Sequence, residues 1–284
     1  MGGMRVIIGC NSMDSASVEM TEKLCALLRE RGIEPCVFGE DSDLADVIDV
    51  PVVKSPEECT HIVTIGGDGT ILKWGKTAAE YGLPLLGVNM GRLGFMATVE
   101  PSEVCRIPDI LMGDCPVSRR MLLDCEIVRN GKTLLKKSVL NDAVISRGVS
   151  SKLPEFRIFC GEYEVTRVRA DGVILSTPTG STAYSLSAGG PILAPELECI
   201  EFTALCPHTL FNRPMIFSAQ QLVTARVRSY QDSTVTVSLD GGHGIDMVEE
   251  DELRLRRSER TLEIIEAGSG FFGAVHNKLM APLK

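Results

Sequence analysis

The first part of the chain alternates short apolar runs with segments whose apolar residues recur at helical spacing. Apolar runs cover residues 5–9, 35–38, 60–65 and 85–88. Residues 15–31 instead place apolar side chains three and four positions apart, which predicts an amphipathic helix. Strands that alternate with helices indicate βαβ units, so this pattern predicts an α/β domain with a mostly parallel sheet.

The pattern changes near residue 115. From residue 121 onward, short alternating runs are separated by turn-forming pairs, namely Asn130-Gly131, Gly161-Glu162, Asp171-Gly172 and Asp240-Gly241. Residues 226–239 and 252–266 alternate apolar and polar positions in the manner of strands. We therefore predict an α/β domain over residues 1–115, a β-rich domain over residues 116–267 and a glycine-broken tail over residues 268–284.

A glycine-rich segment, Gly66-Gly67-Asp68-Gly69-Thr70, follows the apolar run at 60–65 and precedes a helix predicted to begin near Ile71. Glycines let main-chain N–H groups approach a ligand, and the N-terminus of a helix favours negative charge, so the segment predicts a phosphate site. Asp68 would repel phosphate unless a divalent cation lies between them, or unless the carboxylate takes a proton from an attacking hydroxyl. Phosphoryl transfer uses both arrangements.

This segment matches neither the G-x-x-x-x-G-K-[ST] phosphate loop nor the G-x-G-x-x-G dinucleotide fingerprint. A purely structural interpretation stays open, because Asp and Thr are favourable helix N-caps and glycine forms tight turns. Other segments of the chain must therefore decide between a ligand site and a simple strand-to-helix turn.

A second segment, residues 171–191, runs from an apolar strand into a turn rich in hydroxyl groups. Pro178 and Gly180 are predicted to fix the turn before a short helix that ends at Gly189-Gly190. Ser181 and Thr182 are predicted either to cap that helix or to bind the oxygens of a ligand. Tyr184 offers an aromatic face for a base or a ribose, although an ordinary strand-turn-helix junction is the alternative.

Two weaker candidates complete the set. Asn141-Asp142 opens an otherwise apolar strand, so Asn141 is placed to bind a base edge and Asp142 to accept from ribose hydroxyls, or the pair forms a turn. Residues 87–95 again place a glycine-rich loop after a strand, and Phe95 is a candidate for the wall of an adenine pocket.

Composition narrows the choice of partners. The net charge of -9 argues against nucleic acid, which calls for a basic face, but it permits a small anionic ligand bound locally. No apolar run approaches the length of a membrane span, and the first ten residues do not form a signal peptide, so we expect a cytoplasmic protein without a membrane partner. Ten cysteines without a C-x-x-C pair indicate small buried side chains rather than zinc ligands, and no metal ligand is assigned.

In this order and spacing, the segments resemble the NAD kinase family. The resemblance rests on Gly66 to Thr70, on Asn89-Met90-Gly91-Arg92-Leu93-Gly94-Phe95, on Asn141-Asp142 and on residues 169–191 with their Thr-Gly-Ser-Thr-Ala-Tyr run. Cys206-Pro207-His208-Thr209-Leu210 with Arg213-Pro214 adds a further piece, and together they span residues 60–240. The glycine-aspartate element also occurs in lipid kinases and phosphofructokinases, whereas the Thr-Gly-Ser-Thr-Ala-Tyr run is more particular.

The resemblance implies transfer of a phosphoryl group from ATP, or from polyphosphate, to the adenosine ribose 2′-hydroxyl of NAD. It also implies a Rossmann-like N-terminal domain, a β-rich C-terminal domain, and a tail at 268–284 that returns to the first domain. A divalent metal, expected to be Mg²⁺, and a homodimer or homotetramer are implied as well. The resemblance does not choose between ATP and polyphosphate, or between NAD and NADH.

The resemblance also implies roles for individual residues of this chain. Asp68 corresponds to the catalytic base, and Gly66, Gly67, Gly69 and Thr70 correspond to the phosphate loop that binds ATP. The implied NAD-binding residues are Asp68, Gly69, Leu72, Phe95, Asn141, Asp142, Lys152, Arg169, Asp171, Thr182, Ala183, Tyr184, Ser185, Leu186 and Ser187.

The chain departs from the family pattern in two places. Asp142 stands where many relatives carry Glu, and Gly242-His243 follow Asp240-Gly241 where relatives often show Gln. Two other functions stay open at this point. One is a kinase of another hydroxyl substrate, such as a lipid or a sugar phosphate, and the other is a dinucleotide sensor without catalysis.

Overall fold

The computed structural model describes residues 3–39, 44–91, 94–148, 152–209, 212–228, 234–249, 251–268 and 270–280. Arg92, Leu93 and Leu210, which belong to the motifs above, lie outside these ranges. The chain divides into two compact units: the first comprises Met1–Arg119 with Thr261–Lys284, and the second comprises Arg120–Arg260. Each unit has a buried apolar cluster of its own.

The first unit is built on a parallel sheet. Its strands run in the order β2, β1, β3 and β4, and the last residues of β16 lie beside β4. These strands are β1 (Arg5–Cys10), β2 (Glu34–Cys36), β3 (His61–Gly66), β4 (Leu85–Asn89) and β16 (Asp251–Ile265). The helices of the unit are α1 (Ser15–Glu30), α2 (Ala45–Ile48), α3 (Asp68–Tyr81), α4 (Ile107–Met112) and α6 (Gly270–Val275). The predicted α/β character of this region is confirmed.

The central strands are apolar throughout because both faces of a parallel sheet are covered. Each residue of β4 is buried, as are all but the first residue of β1 and of β3. Helix α1 begins where Asp14 acts as its N-cap, since the carboxylate accepts the N–H of Ser17 at 3.2 Å. Helix α3 ends at Gly82, whose φ of 64° is the left-handed conformation that glycine adopts readily.

Helix α3 begins at Asp68, three residues before the position expected from the sequence. Gly67 is its N-cap, with an extended backbone, and Asp68 lies in the first turn. A carboxylate in the first turn is favourable beside the unpaired N–H groups of a helix N-terminus, which explains the earlier start. The candidate catalytic carboxylate is therefore part of the helix rather than of the preceding loop.

The second unit is β-rich, as predicted, and its strands form two groups. One is a six-stranded antiparallel sheet in the order β12, β11, β10, β7, β14 and β15. The other contains β9, β8, β13 and the first part of β16, together with the hairpin of β5 and β6. The strands are β5 (Val117–Arg129), β6 (Lys132–Val139), β7 (Asp142–Arg147), β8 (Glu155–Cys160), β9 (Tyr163–Arg169), β10 (Gly172–Ser176), β11 (Cys199–Leu205), β12 (Met215–Ser218), β13 (Val223–Arg228), β14 (Val235–Leu239) and β15 (Ile245–Met247), and the unit also holds the short helix α5 (Tyr184–Ser187).

The turn pairs explain several connections in this unit. Asn130 and Gly131 have φ values of 50° and 76°, and Asp240 and Gly241 have values of 50° and 68°. Two successive residues with positive φ match the right-handed twist of the strands that they join. Residues 226–239, which alternate in the manner of strands, contain the end of β13 and all of β14, and these two strands lie in different sheets.

Two further sequence expectations concern membranes and cysteines. Within the described ranges, no helix has the length and apolar character needed to cross a membrane. All ten cysteines are free, and six are buried: Cys10, Cys25, Cys36, Cys59, Cys125 and Cys199. Burial raises the pKa of the Cys25 thiol to about 11, so this side chain packs as a neutral apolar group.

Gly9 provides a test of packing in the first unit. A methyl group at residue 9 would come within 2.1 Å of the Trp74 ring, whereas a methyl group at Gly3 would meet nothing within 4 Å. We expect Gly9→Ala to lower the free energy of unfolding by about 1–3 kcal/mol because the ring must shift. Gly3→Ala is the matched control, with a change below about 0.5 kcal/mol in urea denaturation. Equal values for both variants would contradict this packing.

Candidate functional site

In the first unit, the Asp68 carboxylate is fixed by the backbone of a neighbouring loop. Its Oδ2 accepts the N–H of Phe95 at 2.9 Å, and its Oδ1 accepts the N–H of Met96 at 3.2 Å. A side chain at Gly94 would approach Asp68 Oδ1 to 2.2 Å, so residue 94 must be glycine for this contact. Charge-assisted bonds of this kind set both the position and the orientation of a carboxylate.

The glycines before and after Asp68 differ in what they permit. A Cβ at Gly66 would lie 2.2 Å from the Thr70 hydroxyl, so this glycine allows the turn of α3 to close over the end of β3. A Cβ at Gly67 or Gly69 would meet no atom within 4 Å, which leaves that surface open to a ligand. The loop thus combines one packing glycine with two glycines whose missing side chains leave open space.

A cavity of about 510 Å³ lies at this loop. Its lining residues are Cys10, Asn11, Ser12, Met13, Gly67, Gly69, Thr70 and Lys73. Lys73 is the single charged residue among those described lining residues, and the N-terminus of α3 adds partial positive charge. The cavity therefore has the electrostatic character of an anion site.

The two predicted base-binding residues of the first unit are both partly accessible. Leu72 and Phe95 are half-buried. The Phe95 ring lies 6.4 Å from that of Phe271 on α6, and the Phe271 ring lies 5.2 Å from that of Phe272. The C-terminal segment thus packs against the loop that holds Asp68, and the sequence contained no periodic signal for this contact.

In the second unit, a single carboxylate organises the Asn141-Asp142 loop. Asp240 accepts three backbone N–H groups, from Leu140 at 3.0 Å, Asn141 at 2.8 Å and Asp142 at 3.2 Å. The Asp240 N–H in turn donates to the carbonyl of Asp142 at 2.9 Å. Asp240 was read from the sequence as a turn residue only, and its second function is visible in the structure alone.

Asp142 and Asp240 form a pair of neighbouring carboxylates with unequal surroundings. Asp142 is buried, and burial together with the charge of Asp240 raises its pKa to about 7. Because burial disfavours the charged form, the carboxyl of Asp142 holds its proton to a higher pH than an ordinary carboxyl does. Near neutral pH, Asp142 is thus both a hydrogen-bond donor and an acceptor, rather than the pure acceptor expected from the sequence.

The hydroxyl-rich turn lies directly against this loop. Thr177 accepts the N–H of Gly180 at 3.0 Å through its hydroxyl, and its own N–H donates to the carbonyl of Asn141 at 2.8 Å. A Cβ at Gly180 would approach the same carbonyl oxygen to 2.1 Å. Glycine is therefore required here by close backbone contact, which brings residues 177–182 and Asn141 into one site.

Helix capping, which was one of the two roles predicted for Ser181 and Thr182, is wrong. The Ser181 hydroxyl donates to the carbonyl of Pro178 at 2.7 Å, and the Thr182 hydroxyl donates to that of Thr179 at 3.2 Å. Neither side chain caps α5, whose N-cap is Ala183 without a side-chain bond. These hydroxyls stabilise the 3₁₀ turn that precedes the helix, because each lies three residues after its acceptor.

Ser185 belongs to a buried polar network that the sequence did not reveal. Glu201 on β11 is fully buried and accepts the hydroxyls of Ser185 at 2.6 Å, Thr203 at 3.0 Å and Ser176 at 3.1 Å. A Cβ at Gly190 would approach Glu201 Oε1 to 2.1 Å. The network joins β10, β11 and α5 at the base of the hydroxyl-rich turn.

The remaining predicted residues of this turn are more accessible. Tyr184 is 48% exposed, so its ring is available to a ligand, and Ser187 is also exposed. Thr182, Ala183 and Leu186 are half-buried around it. The turn thus presents an aromatic face with small neighbours.

Three predicted polar contacts lie elsewhere in the second unit. The Asp171 carboxylate accepts from Arg147 Nε at 2.7 Å, and Asp171 follows β9. Arg169 is exposed, and its carbonyl accepts the N–H of His208 at 2.7 Å. Lys152 is exposed in the segment before β8. Arg169 is thus the last residue of β9, Asp171 follows that strand and is paired with Arg147, and Lys152 lies before β8.

Two polar atoms of this site have no hydrogen-bond partner among the described residues. They are the Thr179 hydroxyl and Asn141 Oδ1. Buried polar atoms normally have partners, so each unpaired atom points to a group that a ligand would supply. Thr179 is 5% exposed and was quoted in the sequence only as part of a motif. An unpaired hydroxyl of this kind carries no sequence signal.

No cluster of three or more His, Cys, Asp or Glu side chains is placed to hold a metal ion in the described part of the chain. Mg²⁺ in phosphoryl transfer is usually held by one or two carboxylates together with substrate phosphates. Asp68 beside the cationic cavity fits that shared arrangement, and a protein-only metal site does not fit.

The chain is similar to known proteins over most of its length. Residues 6–113 match the ATP-NAD kinase N-terminal domain, and residues 140–267 match the ATP-NAD kinase C-terminal domain. The NAD kinase of Geotalea daltonii is 35% identical over 281 residues, which cover 97% of this chain and 98% of that relative. The NAD kinase of Desulforamulus reducens is 39% identical over 226 residues, covering 78% and 77% of the two chains.

Solved structures show the same fold. The yeast NADH kinase complexed with NADH superposes with a TM-score of 0.84 at 25% identity, covering 98% of this chain and 88% of the other. An NAD kinase from Archaeoglobus fulgidus, in complex with ATP, gives a TM-score of 0.72 at 22% identity, covering 96% and 98%. The fold and the glycine-aspartate loop define a phosphotransferase of the α/β class. The chain belongs to the NAD kinase family, which confirms the resemblance drawn from its motifs.

The Asp142–Asp240 pair predicts a dependence of stability on pH. Because the folded pKa of Asp142, about 7, lies above its ordinary value of 3.8, the folded state binds the extra proton in this interval. Asp142 therefore contributes stability below pH 4 that is lost as the pH rises through 7. We expect Asp142→Asn to reduce this loss by about 2–4 kcal/mol, measured by urea denaturation between pH 4 and pH 8.

Asp246→Asn is the matched control, because Asp246 is an exposed carboxylate on β15 of the same sheet. Its pH profile should follow that of the unmodified chain. If Asp142→Asn and Asp246→Asn gave the same profile, the proton would not reside on Asp142.

Proposed function

We propose that this chain transfers the terminal phosphoryl group of ATP to the adenosine ribose 2′-hydroxyl of NAD and so forms NADP. The observation that carries this proposal is the placement of Asp68, which is the first residue of α3 and is held through both carboxylate oxygens. The cationic cavity beside Gly67 and Gly69 supports binding of the donor phosphates. The family description as ATP-NAD kinase supports ATP as donor.

The second unit supports an adenosine moiety as the acceptor. Asn141 Oδ1 is an acceptor without a described partner, suited to the exocyclic amino group of adenine, and the Thr179 hydroxyl lies in the adjoining turn. Asp142 lies in the same loop, and its carboxyl would bond a ribose hydroxyl. Tyr184 would stack on a ring of the dinucleotide, with Thr182, Ala183 and Ser187 beside it.

The proposed reaction requires proton removal and positioning. Asp68 takes the proton of the 2′-hydroxyl as the new O–P bond forms and the bond between the phosphorus and the donor oxygen breaks. Each carboxylate oxygen has more than one acceptor direction, so bonds from Phe95 and Met96 leave room for the hydroxyl. The backbone bonds fix the carboxylate in advance, and such positioning supplies much of the rate in phosphoryl transfer.

A divalent metal, which we propose to be Mg²⁺, would neutralise charge on the donor phosphates when bound with them. Asp68 is the carboxylate within the Gly66–Thr70 segment, so it would share in holding that ion. We further propose the remaining NAD contacts, namely those of Gly69, Leu72, Phe95, Lys152, Arg169, Asp171, Ser185 and Leu186, from the family resemblance. A cytoplasmic homodimer or homotetramer is proposed on the same basis.

Two alternatives have distinct consequences. A lipid or sugar-phosphate kinase would use the glycine-aspartate loop but not the aromatic face of Tyr184. A dinucleotide sensor would bind NAD without forming product. A panel of hydroxyl acceptors with ATP and Mg²⁺, followed by NAD titration calorimetry, separates these two from an NAD kinase.

The Asp68 carboxylate is tested by Asp68→Asn. We expect kcat for NADP formation to fall by about 10²–10⁴-fold, because the general base is removed while the shape of the side chain is kept. The assay follows NADP in the presence of NAD, ATP and Mg²⁺. The amide also presents one N–H₂ group to the N–H of Phe95 or Met96, so urea denaturation of the variant must accompany the kinetics. A nearly unchanged kcat would remove Asp68 from the role of base.

The aromatic face is tested by Tyr184→Ala with Tyr184→Phe as its matched control. We expect the alanine variant to raise KM for NAD about tenfold, because stacking is lost from an exposed ring. The phenylalanine variant keeps the ring and should keep KM within about twofold. A loss confined to kcat in Tyr184→Ala would contradict stacking.

A further inference from the structure

The first unit contains a second cavity that shares one side chain with the cavity at the phosphate loop. Its volume is about 270 Å³, and its lining residues are Phe38, Gly39, Lys73, Trp74 and Thr77. Lys73 lines both cavities. The two spaces are therefore neighbours along one surface of the first unit.

The chemistry of the second cavity differs from that of the first. Phe38 is half-buried after β2, and Trp74 is held at 4% exposure. Gly9 packs directly against the Trp74 ring, since a Cβ at residue 9 would lie 2.1 Å from its Nε1. Two aromatic side chains, one of them fixed by packing, give walls suited to a flat heteroaromatic ring.

The spacing along α3 relates the two cavities. Thr70, Lys73, Trp74 and Thr77 recur three and four residues apart, so they follow one face of the helix. The seven-residue separation between Thr70 and Thr77 corresponds to about 10 Å along the helix axis. A ligand that extends along this face would have its phosphates at the N-terminus of α3 and a ring about two turns further along.

We propose that the cavity formed by Phe38, Gly39, Trp74 and Thr77 binds the base of a nucleoside triphosphate donor, with Lys73 between the base and the phosphates. This assignment rests on the proposed function only in requiring a phosphorylated donor at the glycine loop. It selects a nucleotide over inorganic polyphosphate, because a polyphosphate chain has no ring to occupy the aromatic cavity. The Lys73 ammonium lies 6.0 Å from the Trp74 ring centroid, and the Lys73 side chain lines both cavities.

The cavity is tested by binding alone, without NAD and without turnover. Calorimetric titration of the full chain with a non-hydrolysable ATP analogue and, separately, with tripolyphosphate measures the contribution of the nucleoside. We expect the analogue to bind at least tenfold more tightly than tripolyphosphate. We expect Phe38→Ala to weaken the analogue about tenfold and to leave tripolyphosphate within about twofold, because only the nucleotide uses the ring.

Two further variants keep the test decisive. Thr77→Phe fills the cavity from the side of α3 and should weaken the analogue more than tenfold, with tripolyphosphate retained. Tyr81→Ala is the matched control, because Tyr81 is an exposed aromatic residue of α3 outside the lining. Trp74 is the sole tryptophan of the chain, so its emission reports whether each variant is folded.

The outcomes separate this inference from the proposed function. Equal affinities for the analogue and for tripolyphosphate, or equal weakening of both in the two variants, would overturn the base site. Selective weakening of analogue binding in the two variants would support the base site, even if the chain formed no NADP. The absence of NADP formation would overturn only the proposed acceptor. NADP formation with unaltered analogue binding in both folded variants would overturn only the base site.

Discussion

The candidate site depends on hydrogen bonds from backbone N–H groups to carboxylates. Asp68 receives two such groups from residues 95 and 96 in the first unit, and Asp240 receives three from residues 140–142 in the second. In each unit the acid is close in space to a loop that is distant in sequence. Each bond satisfies a main-chain donor that irregular structure would otherwise leave unpaired, so loop and carboxylate order one another.

The two carboxylates differ in what this ordering achieves. At Asp68, the bonds orient a charged group at the positive end of α3, where a neighbouring cavity is suited to phosphate. At Asp240, they hold a carboxylate beside Asp142, whose pKa is raised to about 7 by burial and by the charge of Asp240. The same interaction orients the proposed catalytic base in one unit, and in the other it fixes a carboxylate beside a buried acid with a raised pKa.

Much of the fold could be predicted from periodicity. The alternation of apolar runs with a helical segment identified the parallel sheet of the first unit, and pairs such as Asn130-Gly131 identified hairpins of the second. Prediction was incomplete where one continuous sequence pattern covers two strands. Residues 226–239 alternate in the manner of strands, yet they contain parts of β13 and β14, which lie in different sheets. Helix α3 begins at Asp68 because an acid is favourable at a helix N-terminus, although its apolar pattern begins at Ile71.

The candidate site was predictable in its residues but not in its contacts. Motifs singled out Asp68, Asn141 and Tyr184, whereas the roles of Asp240 and Glu201 depend on which strands are neighbours. Glu201 illustrates the reason. It lies on β11 among apolar residues, and its partners Ser176, Ser185 and Thr203 come together only when β10, β11 and α5 pack.

The glycines of the site show the same dependence on tertiary structure. Glycine-rich loops suggest unusual backbone angles, but Gly94, Gly180 and Gly190 have no positive φ in this structure. Each is instead small because another group lies where its side chain would be: the Asp68 carboxylate, the Asn141 carbonyl and the Glu201 carboxylate. Steric contact of this kind follows from tertiary structure, so the sequence reveals that a glycine is present and the fold explains what it approaches. These polar groups therefore approach the backbone at three positions where only glycine leaves enough space.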